Sequence, residues 1–253
     1  MTSLTAFGIT PTHRGNAMAP HELALTDLTV VVPVKNNQTG VTRLLEACLR
    51  VFAPNHFPVE ILLVDNLSHP PVEVPTHLAS SLPVHILICA KPGAAAARNL
   101  GARQAQTQWI LFLDSDCLLT PGLIDGYRQA MNGAVAYAGM VKAERSDLLS
   151  RYYDAQSILI PPPLRDSGEA RPAYLITANA LVWRPALAEI GGFDEHFPSA
   201  GGVIWRKFCQ DFAMIPEICG ILSQRTHPFR THSNHMRVSG WSVRDSTWRG
   251  SVR

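Results

Sequence analysis

The sequence lacks several features that would assign it to a class at once. No apolar run approaches the ~18 residues of a membrane-spanning helix, and the first twenty residues lack the basic start and apolar stretch of a signal peptide. The five cysteines are scattered along 253 residues and form no Cys-x-x-Cys pair. These absences disfavour a disulfide framework and a zinc site, and they predict a cytoplasmic protein.

A strong excess of charge of one sign is also missing. The formal net charge is only +2, which disfavours a nucleic-acid-binding protein. Residues 203–253 differ from the rest, because they hold eight Lys and Arg against three Asp and Glu, together with three of the five tryptophans. A basic tail of this kind could contact phosphate or the surface of an anionic membrane, although a solvated end is the plainer interpretation.

Two common nucleotide-binding motifs are absent as well. The first apolar run is not followed by Gly-x-Gly-x-x-Gly, which disfavours a dinucleotide-dependent dehydrogenase. The chain also has no Gly-x-x-x-x-Gly-Lys-[Ser/Thr], which disfavours a P-loop nucleotidase.

Apolar runs alternate with helical patterns over the first 141 residues. Strands are predicted at residues 28–34, 60–64, 84–89, 109–113 and 134–141, and helices at 41–49, 94–106, 120–131 and 185–190. Residues 70–83 are too rich in proline for a long helix, 145–160 are predicted to be helical, and 174–183 to be a strand or extended. This alternation predicts an α/β fold, with a mainly parallel sheet flanked by helices.

Polar residues follow three of the predicted strands at the points where these strands end. The first strand ends in Pro33-Val34-Lys35-Asn36-Asn37, the second in Asp65-Asn66, and the fourth in Asp114-Ser115-Asp116. In open α/β sheets, ligands bind at the carboxyl ends of the strands. Two carboxylates placed two residues apart suit a hard cation that bridges to a diphosphate.

Four segments together resemble the inverting family 2 glycosyltransferases of GT-A fold. They read VVVPVKNN, ILLVDNLS, GAAAARNLGARQAQTQWILFLDSDC and TANALVWRPALAEIGGFDEHFPSAGG, in the order and spacing of that family. Within the family, they are similar to the glycosyltransferases of mycofactocin-type peptide-cofactor pathways. Residues 1–27 have no hydrophobic period and contain Pro11, Gly15 and Pro20, which predicts a flexible extension. The resemblance implies a GT-A domain that binds a nucleotide sugar and its acceptor over 28–202, and an irregular, out-of-pattern tail over 203–253.

The resemblance also implies a role for individual residues. A nucleoside diphosphate sugar, with a UDP-sugar favoured, and a Mn²⁺ or Mg²⁺ ion would bind at the strand ends, and a hydroxyl acceptor of unknown class would receive the sugar. The implied donor-binding residues are Pro33, Lys35, Asn36, Asp65, Asn66, Arg98 and Asp114, with Asn99 beside Arg98. Asp116 is the implied metal ligand, with Asp114 near the ribose or sugar. Residues 177–183 and 191–194 would shape the acceptor side, where Trp183 is either a sugar-stacking or a core side chain.

The sequence departs from the family directly after Gly202. The family places Glu-Asp there, and the aspartate is the catalytic base, whereas this chain continues with Val203-Ile204-Trp205 and has no carboxylate before Asp211. One hypothesis is divergence, with Asp194, Glu195 or Asp211 as the base or with none. The other is a slip of the reading frame near Gly202, because composition changes toward Arg, His, Ser and Trp at the same place.

Three alternatives to an active transferase follow from these observations. The first is a nucleotide-sugar-binding remnant without a base. The second is a phosphatase of the haloacid dehalogenase type, since LFLDSDC resembles its strand ending in Asp-x-Asp. The third is a nucleic-acid-binding protein that acts through the basic tail. His227, His232 and His235 are predicted to be solvent-exposed, although a histidine in this region completes the metal site in the family.

Overall fold

The structure is a computed structural model that describes residues 19, 22–53, 57–139, 141–143, 176–196 and 223–224. The strands are β1 (Leu28–Val34), β2 (Glu60–Asp65), β3 (Val84–Ile88), β4 (Trp109–Leu113), β5 (Ala136–Ala138), β6 (Lys142–Ala143), β7 (Asn179–Trp183) and β8 (Ser223–Gln224). The helices are α1 (Gln38–Phe52), α2 (Thr76–Ala79), α3 (Ala94–Gln104), α4 (Leu123–Ala130) and α5 (Arg184–Glu189), and a 3-10 turn at Leu25–Asp27 precedes β1.

Six strands form one sheet in the order β3-β2-β1-β4-β7-β5. β1 pairs in parallel with β2 on one side and with β4 on the other, and β7 runs antiparallel to β4 and β5. The prediction of an α/β fold with a mainly parallel sheet is therefore confirmed. The strand order reverses between β1 and β4, so the carboxyl ends of these two strands flank the point where open α/β sheets bind ligands.

Burial explains why the central strands have unbroken apolar sequences. Every residue of β4 and β7 is buried, and both strands lie in the interior of the sheet with a strand on either side. Helix α3 packs closely on β1 and β2, and a Cβ atom added at Gly101 would lie 2.4 Å from Cγ1 of Val31. In contrast, β3 lies at the edge of the sheet, and Ile88 at its end is 66% exposed.

Several predicted boundaries are wrong in detail. Helix α4 begins at Leu123 rather than at Thr120, because the amide of Leu123 donates to the carbonyl of Thr120 and closes a turn before the helix. The fifth strand is limited to Ala136–Ala138, and the loop over 70–83 contains the short helix α2. The helix predicted at 145–160 lies outside the described residues.

The ends of the domain are only partly described. Within the predicted flexible extension, Ala19, Leu23 and Leu25 are buried in the core, and Nε of Arg128 donates to the carbonyl of Leu23. The described end of this segment is therefore packed against the domain. Of the basic tail, only β8 is described, and it pairs in parallel with β6. The division at residues 28 and 202 stays a prediction. Among the described residues, no helix is both long and apolar enough to cross a bilayer.

Candidate active site

A side-chain bridge joins the ends of β1 and β4 at the switch point. Nδ2 of Asn37 donates to Oγ of Ser115 over 3.0 Å, and its Oδ1 accepts from the amide of Gly40 over 3.1 Å, which caps helix α1. The contact requires glycine at position 40, because an added Cβ would lie 2.5 Å from the carbonyl oxygen of Ser115. The loop Asp114-Ser115-Asp116 is thus held against the start of α1.

Asp114 is paired with a buried cation. Nη2 of Arg98 donates to Oδ1 of Asp114 over 2.7 Å. The Arg98 side chain is only 5% exposed, whereas the Asp114 side chain is 31% exposed. Helix α3 therefore brings a positive charge underneath the end of β4 and neutralises one of the two carboxylates while leaving it accessible from solvent.

Asp116 has the opposite environment. Burial, together with the negative charge of Asp114, raises the pKa of Asp116 to about 7. A carboxylate whose ionised form is disfavoured in this way fits a divalent cation, since a hard cation prefers oxygen ligands and would stabilise the ionised form. In the part of the chain that the structure describes, no group of three or more His, Cys, Asp or Glu side chains converges. An ion held by Asp116 and Asp114 would thus need oxygen ligands beyond these two carboxylates.

Asp65, at the end of β2, organises the loop that follows. Its Oδ1 accepts from the amide of Ser68 and its Oδ2 from the amide of Val72, and Oγ of Ser68 accepts from the amide of Asn36. Burial opposes ionisation of this carboxylate, but the hydrogen bonds from Ser68 and Val72 outweigh it and hold the pKa of Asp65 below its usual value. Asp65 is therefore an ionised acceptor that shapes the β2 loop, and Ser68 joins that loop to the β1 loop.

Asn66 is committed to the protein's own backbone. Its Nδ2 donates to the carbonyls of Cys89 and Lys91, and its Oδ1 accepts from the amide of Gly93. Gly93 has φ +121° and leads into helix α3, so its position favours glycine. Asn66 thus shapes the loop between β3 and α3, and these contacts occupy both of its amide protons. Its predicted role as a donor-binding residue stays a prediction.

The remaining predicted donor-binding residues lie at the end of β1. Pro33 is half-buried and pairs with Val64 of β2, whereas Lys35 and Asn36 are exposed. Asn36 adopts φ +53°, and its Oδ1 accepts from the amide of His69. The structure therefore brings the first and second strand-end loops together and leaves the Lys35 ammonium at the surface of this edge.

Residues 191–196, which include the predicted acceptor-side residues 191–194, are anchored by one buried amide of α3. Oδ1 of Asn99 accepts from the amide of Phe193 over 2.8 Å, and Nδ2 donates to the carbonyl of Phe193 over 2.9 Å and to Oε1 of Glu195 over 2.7 Å. Nζ of Lys91 lies 2.6 Å from Oε2 of Glu195. Asn99 thus turns toward this segment, and sequence reasoning missed this because a residue pair 94 positions apart leaves no local signal.

Two of the carboxylates considered as the base lie in this segment. Hydrogen bonds from Asn99 and Lys91 lower the pKa of Glu195, which is therefore an ionised structural acceptor. Asp194 is exposed, and hydrogen bonds from the amide and the ring of His196 lower its pKa. Asp211, the third candidate, lies outside the described residues, as do His227, His232 and His235.

Strand β7 determines which part of residues 177–183 can reach the site. Asn179 pairs with Leu113, directly before Asp114, whereas Trp183 pairs with Trp109 at the other end of β4. Four residues of strand separate these two positions by about 13 Å. Trp183 is only 8% exposed. The structure therefore supports the core interpretation of Trp183 and leaves Thr177 to Asn179 beside the site.

Comparisons with known proteins agree with this architecture. The family model described as glycosyl transferase family 2 matches residues 29–191. Pre-mycofactocin glycosyltransferase of Mycobacterium tuberculosis is 27% identical over 241 residues, which is 89% of this chain and 47% of the relative. An uncharacterized glycosyltransferase of Haemophilus influenzae is 35% identical over 95 residues, or 37% of this chain and 31% of the relative. The chain spans at most about half the length of these curated relatives.

Solved structures resemble the fold at low sequence identity. S. aureus TarS (1–349) in complex with UDP-GlcNAc aligns with a TM-score of 0.54 and 17% identity, over 79% of this chain and 59% of that one. The mannosyltransferase PcManGT of Pyrobaculum calidifontis, in complex with GDP-Man and Mn²⁺, aligns with a TM-score of 0.52 and 18% identity, over 83% and 60%. At this identity the likeness establishes the fold, which is that of GT-A glycosyltransferases.

Proposed function

Because the chain belongs to glycosyl transferase family 2, we propose that it binds a nucleoside diphosphate sugar together with Mn²⁺ or Mg²⁺ and transfers the sugar to a hydroxyl acceptor. The observation that carries the proposal is the contrast between the two aspartates that follow β4. Asp114 is neutralised by Arg98, while Asp116 has a pKa near 7 and would gain a counter-charge from a cation. Family membership also favours a transferase over the phosphatase alternative.

In this proposal, each strand end contacts a different part of the donor. The first and second loops, with Asn36 and Asp65, would cradle the nucleobase and ribose, and the exposed Lys35 ammonium would offer a positive charge to an anionic donor. Asp116, with Asp114, would hold the cation, which when bound neutralises negative charge on a leaving nucleoside diphosphate. The neighbours TarS and PcManGT are in complex with UDP-GlcNAc and with GDP-Man and Mn²⁺, which supports a nucleotide-sugar donor and leaves the base of that nucleotide open.

A second candidate is a protein that binds the donor without turning it over. It is favoured because the acidic residues near the proposed acceptor side already bind other side chains of the protein. Glu195 is hydrogen-bonded to Asn99 and paired with Lys91, and Asp194 is hydrogen-bonded to His196. These contacts lower the pKa of both carboxylates, whereas a general base works best with a pKa near the operating pH. The Glu-Asp of the family is missing after Gly202. This leaves Asp211 as the remaining candidate, and a slip of the reading frame near Gly202 stays a hypothesis that sequencing the gene would decide.

Calorimetric titration tests the proposal. The purified protein is titrated with UDP-glucose and with GDP-mannose, each with and without Mn²⁺, and Asp116→Asn is the matched control because it keeps the shape of the side chain. We expect cation-dependent binding of one donor, and its loss in Asp116→Asn. Binding that is the same with and without Mn²⁺ would contradict the cation role, and release of nucleotide from a bound donor would separate the enzyme from the non-catalytic candidate.

A further inference from the structure

Helix α3 reaches both sides of the site through two consecutive residues. Arg98 binds Asp114 on the donor side, and Asn99 binds Phe193 and Glu195 on the acceptor side. Both residues are almost fully buried, at 4% and 6% exposure. The two consecutive residues therefore make separate contacts, one on each side of the proposed site.

The Asn99 amide holds the acceptor-side segment as a neighbouring strand would hold it. It accepts from the N–H and donates to the carbonyl of the same residue, Phe193. Gly192 has φ +80° and lies so close that an added Cβ would be 2.5 Å from Oδ1 of Asn99. The Phe193 ring packs edge-on against the ring of Phe112, with 5.1 Å between ring centroids. Phe112 lies in β4, two residues before Asp114. The segment is therefore fixed on α3 and on β4 at once.

The Glu195 carboxylate extends this attachment to the loop before α3. One oxygen accepts from Asn99, and the other is 2.6 Å from the ammonium of Lys91. The carbonyl of Lys91 in turn accepts from Asn66, directly after β2. The chain of contacts runs from the second strand-end loop, through Lys91 and Glu195, to the segment of the acceptor side.

From these contacts we infer that Asn99 is a positioning residue, which with Glu195 and Lys91 forms a clasp that sets the place of residues 191–196 relative to the aspartates after β4. The effect of this role on turnover rests on the proposed function, whereas the clasp itself is a property of the fold. Asn99 makes its hydrogen bonds to Phe193 and Glu195 on the proposed acceptor side, so the clasp acts there and leaves donor affinity to Asp65, Asp114 and Asp116.

The test moves the hydrogen-bond donor of the clasp from residue 99 to residue 195. Asn99→Asp keeps the side-chain shape but removes the Nδ2 donor, and it sets a second carboxylate against Glu195. The double variant Asn99→Asp with Glu195→Gln restores a donor, because the new amide of residue 195 can bond to the new carboxylate of residue 99. Asn132→Asp is the matched control, since Asn132 uses its Oδ1 to accept from Ala134 and Tyr137, an acceptance that aspartate retains.

Hydrogen exchange gives a readout that needs no substrate. In Asn99→Asp we expect amide exchange in residues 191–196 to rise on the order of ten- to hundredfold, because a buried hydrogen-bonding group loses its partner. The double variant should recover part of this protection, while Asn132→Asp should match the wild type in that segment. Unchanged exchange in residues 191–196, or equal loss of protection in both the single and the double variant, would overturn the inference.

Kinetic measurements distinguish a failure of the clasp from a failure of the proposed function. Nucleotide release from UDP-glucose or GDP-mannose with Mn²⁺ is followed in each variant. In Asn99→Asp the donor KM should stay within about threefold of the wild type, while kcat falls by about tenfold or more and partly recovers in the double variant. A raised donor KM with an unchanged kcat would overturn the positioning role. If the wild type releases no nucleotide, the proposed turnover fails, and the exchange result alone decides whether the clasp exists.

Discussion

The proposed donor side, at the ends of β1, β2 and β4, and the proposed acceptor side, at residues 191–196 (hereafter the donor side and the acceptor side), are built in different ways. On the donor side, the polar residues directly follow β1, β2 and β4, and they are held largely by the backbone of adjacent loops, as Asp65 is by the amides of Ser68 and Val72. On the acceptor side, residues 191–196 are held by side chains from 94 or more positions earlier in the chain. The first arrangement follows mainly from consecutive βα units, with the bridge between Asn37 and Ser115 added, whereas the second depends on a few long-range contacts.

This difference implies different sensitivity to mutation. A change on the donor side should alter ligand affinity while leaving the fold in place, because the strands that carry the loops are stabilised by the core. A change at the clasp should release a segment of the acceptor side without affecting donor affinity. The following predictions probe each side, in order of decreasing expected effect.

Asp116→Asn should have the largest effect on the donor side. Removing the proposed cation ligand should lower the affinity for Mn²⁺ and for the donor by more than the ~10–100-fold that loss of an outer-shell partner costs. Calorimetric titration measures both affinities, and circular dichroism should give an unchanged spectrum. Retention of full Mn²⁺ affinity would show that the donor side does not use this carboxylate.

Arg98→Met should lower stability and donor affinity together. The substitution keeps the apolar stem but leaves Asp114 without its buried partner. Because Asp114 is 31% exposed, the loss should be about 2 kcal/mol, below the ~3–5 kcal/mol of a fully buried pair. Urea unfolding measures this cost, and a stability equal to the wild type would mean that the pair between Arg98 and Asp114 does not contribute to the stability of the fold.

Gly192→Ala and Gly191→Ala form a matched pair on the acceptor side. Both residues have φ near +80°, so each substitution should cost roughly 1–2 kcal/mol of backbone strain. At Gly191 an added Cβ meets nothing within 4 Å, whereas at Gly192 it meets Oδ1 of Asn99. Thermal unfolding should therefore show the larger loss for Gly192→Ala, and equal losses would argue against close packing on Asn99.

The pH dependence of stability should differ between wild type and Asp116→Asn. In the folded, metal-free protein the pKa of Asp116 is about 7, above the unfolded value of 3.8. Between these two values the folded state binds the extra proton, so the stability of the wild type falls as pH rises, by at most about 1.4 kcal/mol per unit.

Urea unfolding from pH 5 to pH 7.5 measures this slope. The slope should be smaller in Asp116→Asn, which has no titrating group at this position, and saturating Mn²⁺ should offset the loss in the wild type, since the cation binds the ionised carboxylate. Parallel stability profiles of wild type and Asp116→Asn would contradict the perturbed environment of this residue.

Lys91→Met should have the smallest effect. The Lys91 side chain is 63% exposed, and such ion pairs contribute about 0–1 kcal/mol because solvent screens them. Thermal unfolding should therefore change little, with the remaining Asn99 contact still holding Glu195. A loss of stability as large as that of Asn99→Asp would show that Lys91, rather than Asn99, makes the main contact in the clasp.

The sequence predicted the donor side better than the acceptor side. The bounds of β1 and β4 agree with the predicted strands, and the predicted strand ends carry Asp65 and Asp114 to one edge of the sheet. Continuous apolar runs and the turns after them are local signals. The antiparallel course of β7 and the burial of Trp183 left no such signal, because both depend on which strand lies beside β4.

The sequence by itself determined the α/β class, the order of the first four strands along the chain and the family, because these follow from local periodicity and short motifs. It also showed that the family's Glu-Asp is missing after Gly202. Only the tertiary structure decided that Arg98 faces Asp114 while Asn99 faces Phe193, and that Asp116 has a perturbed pKa. Those properties depend on burial and on contacts between distant residues, which no stretch of sequence contains.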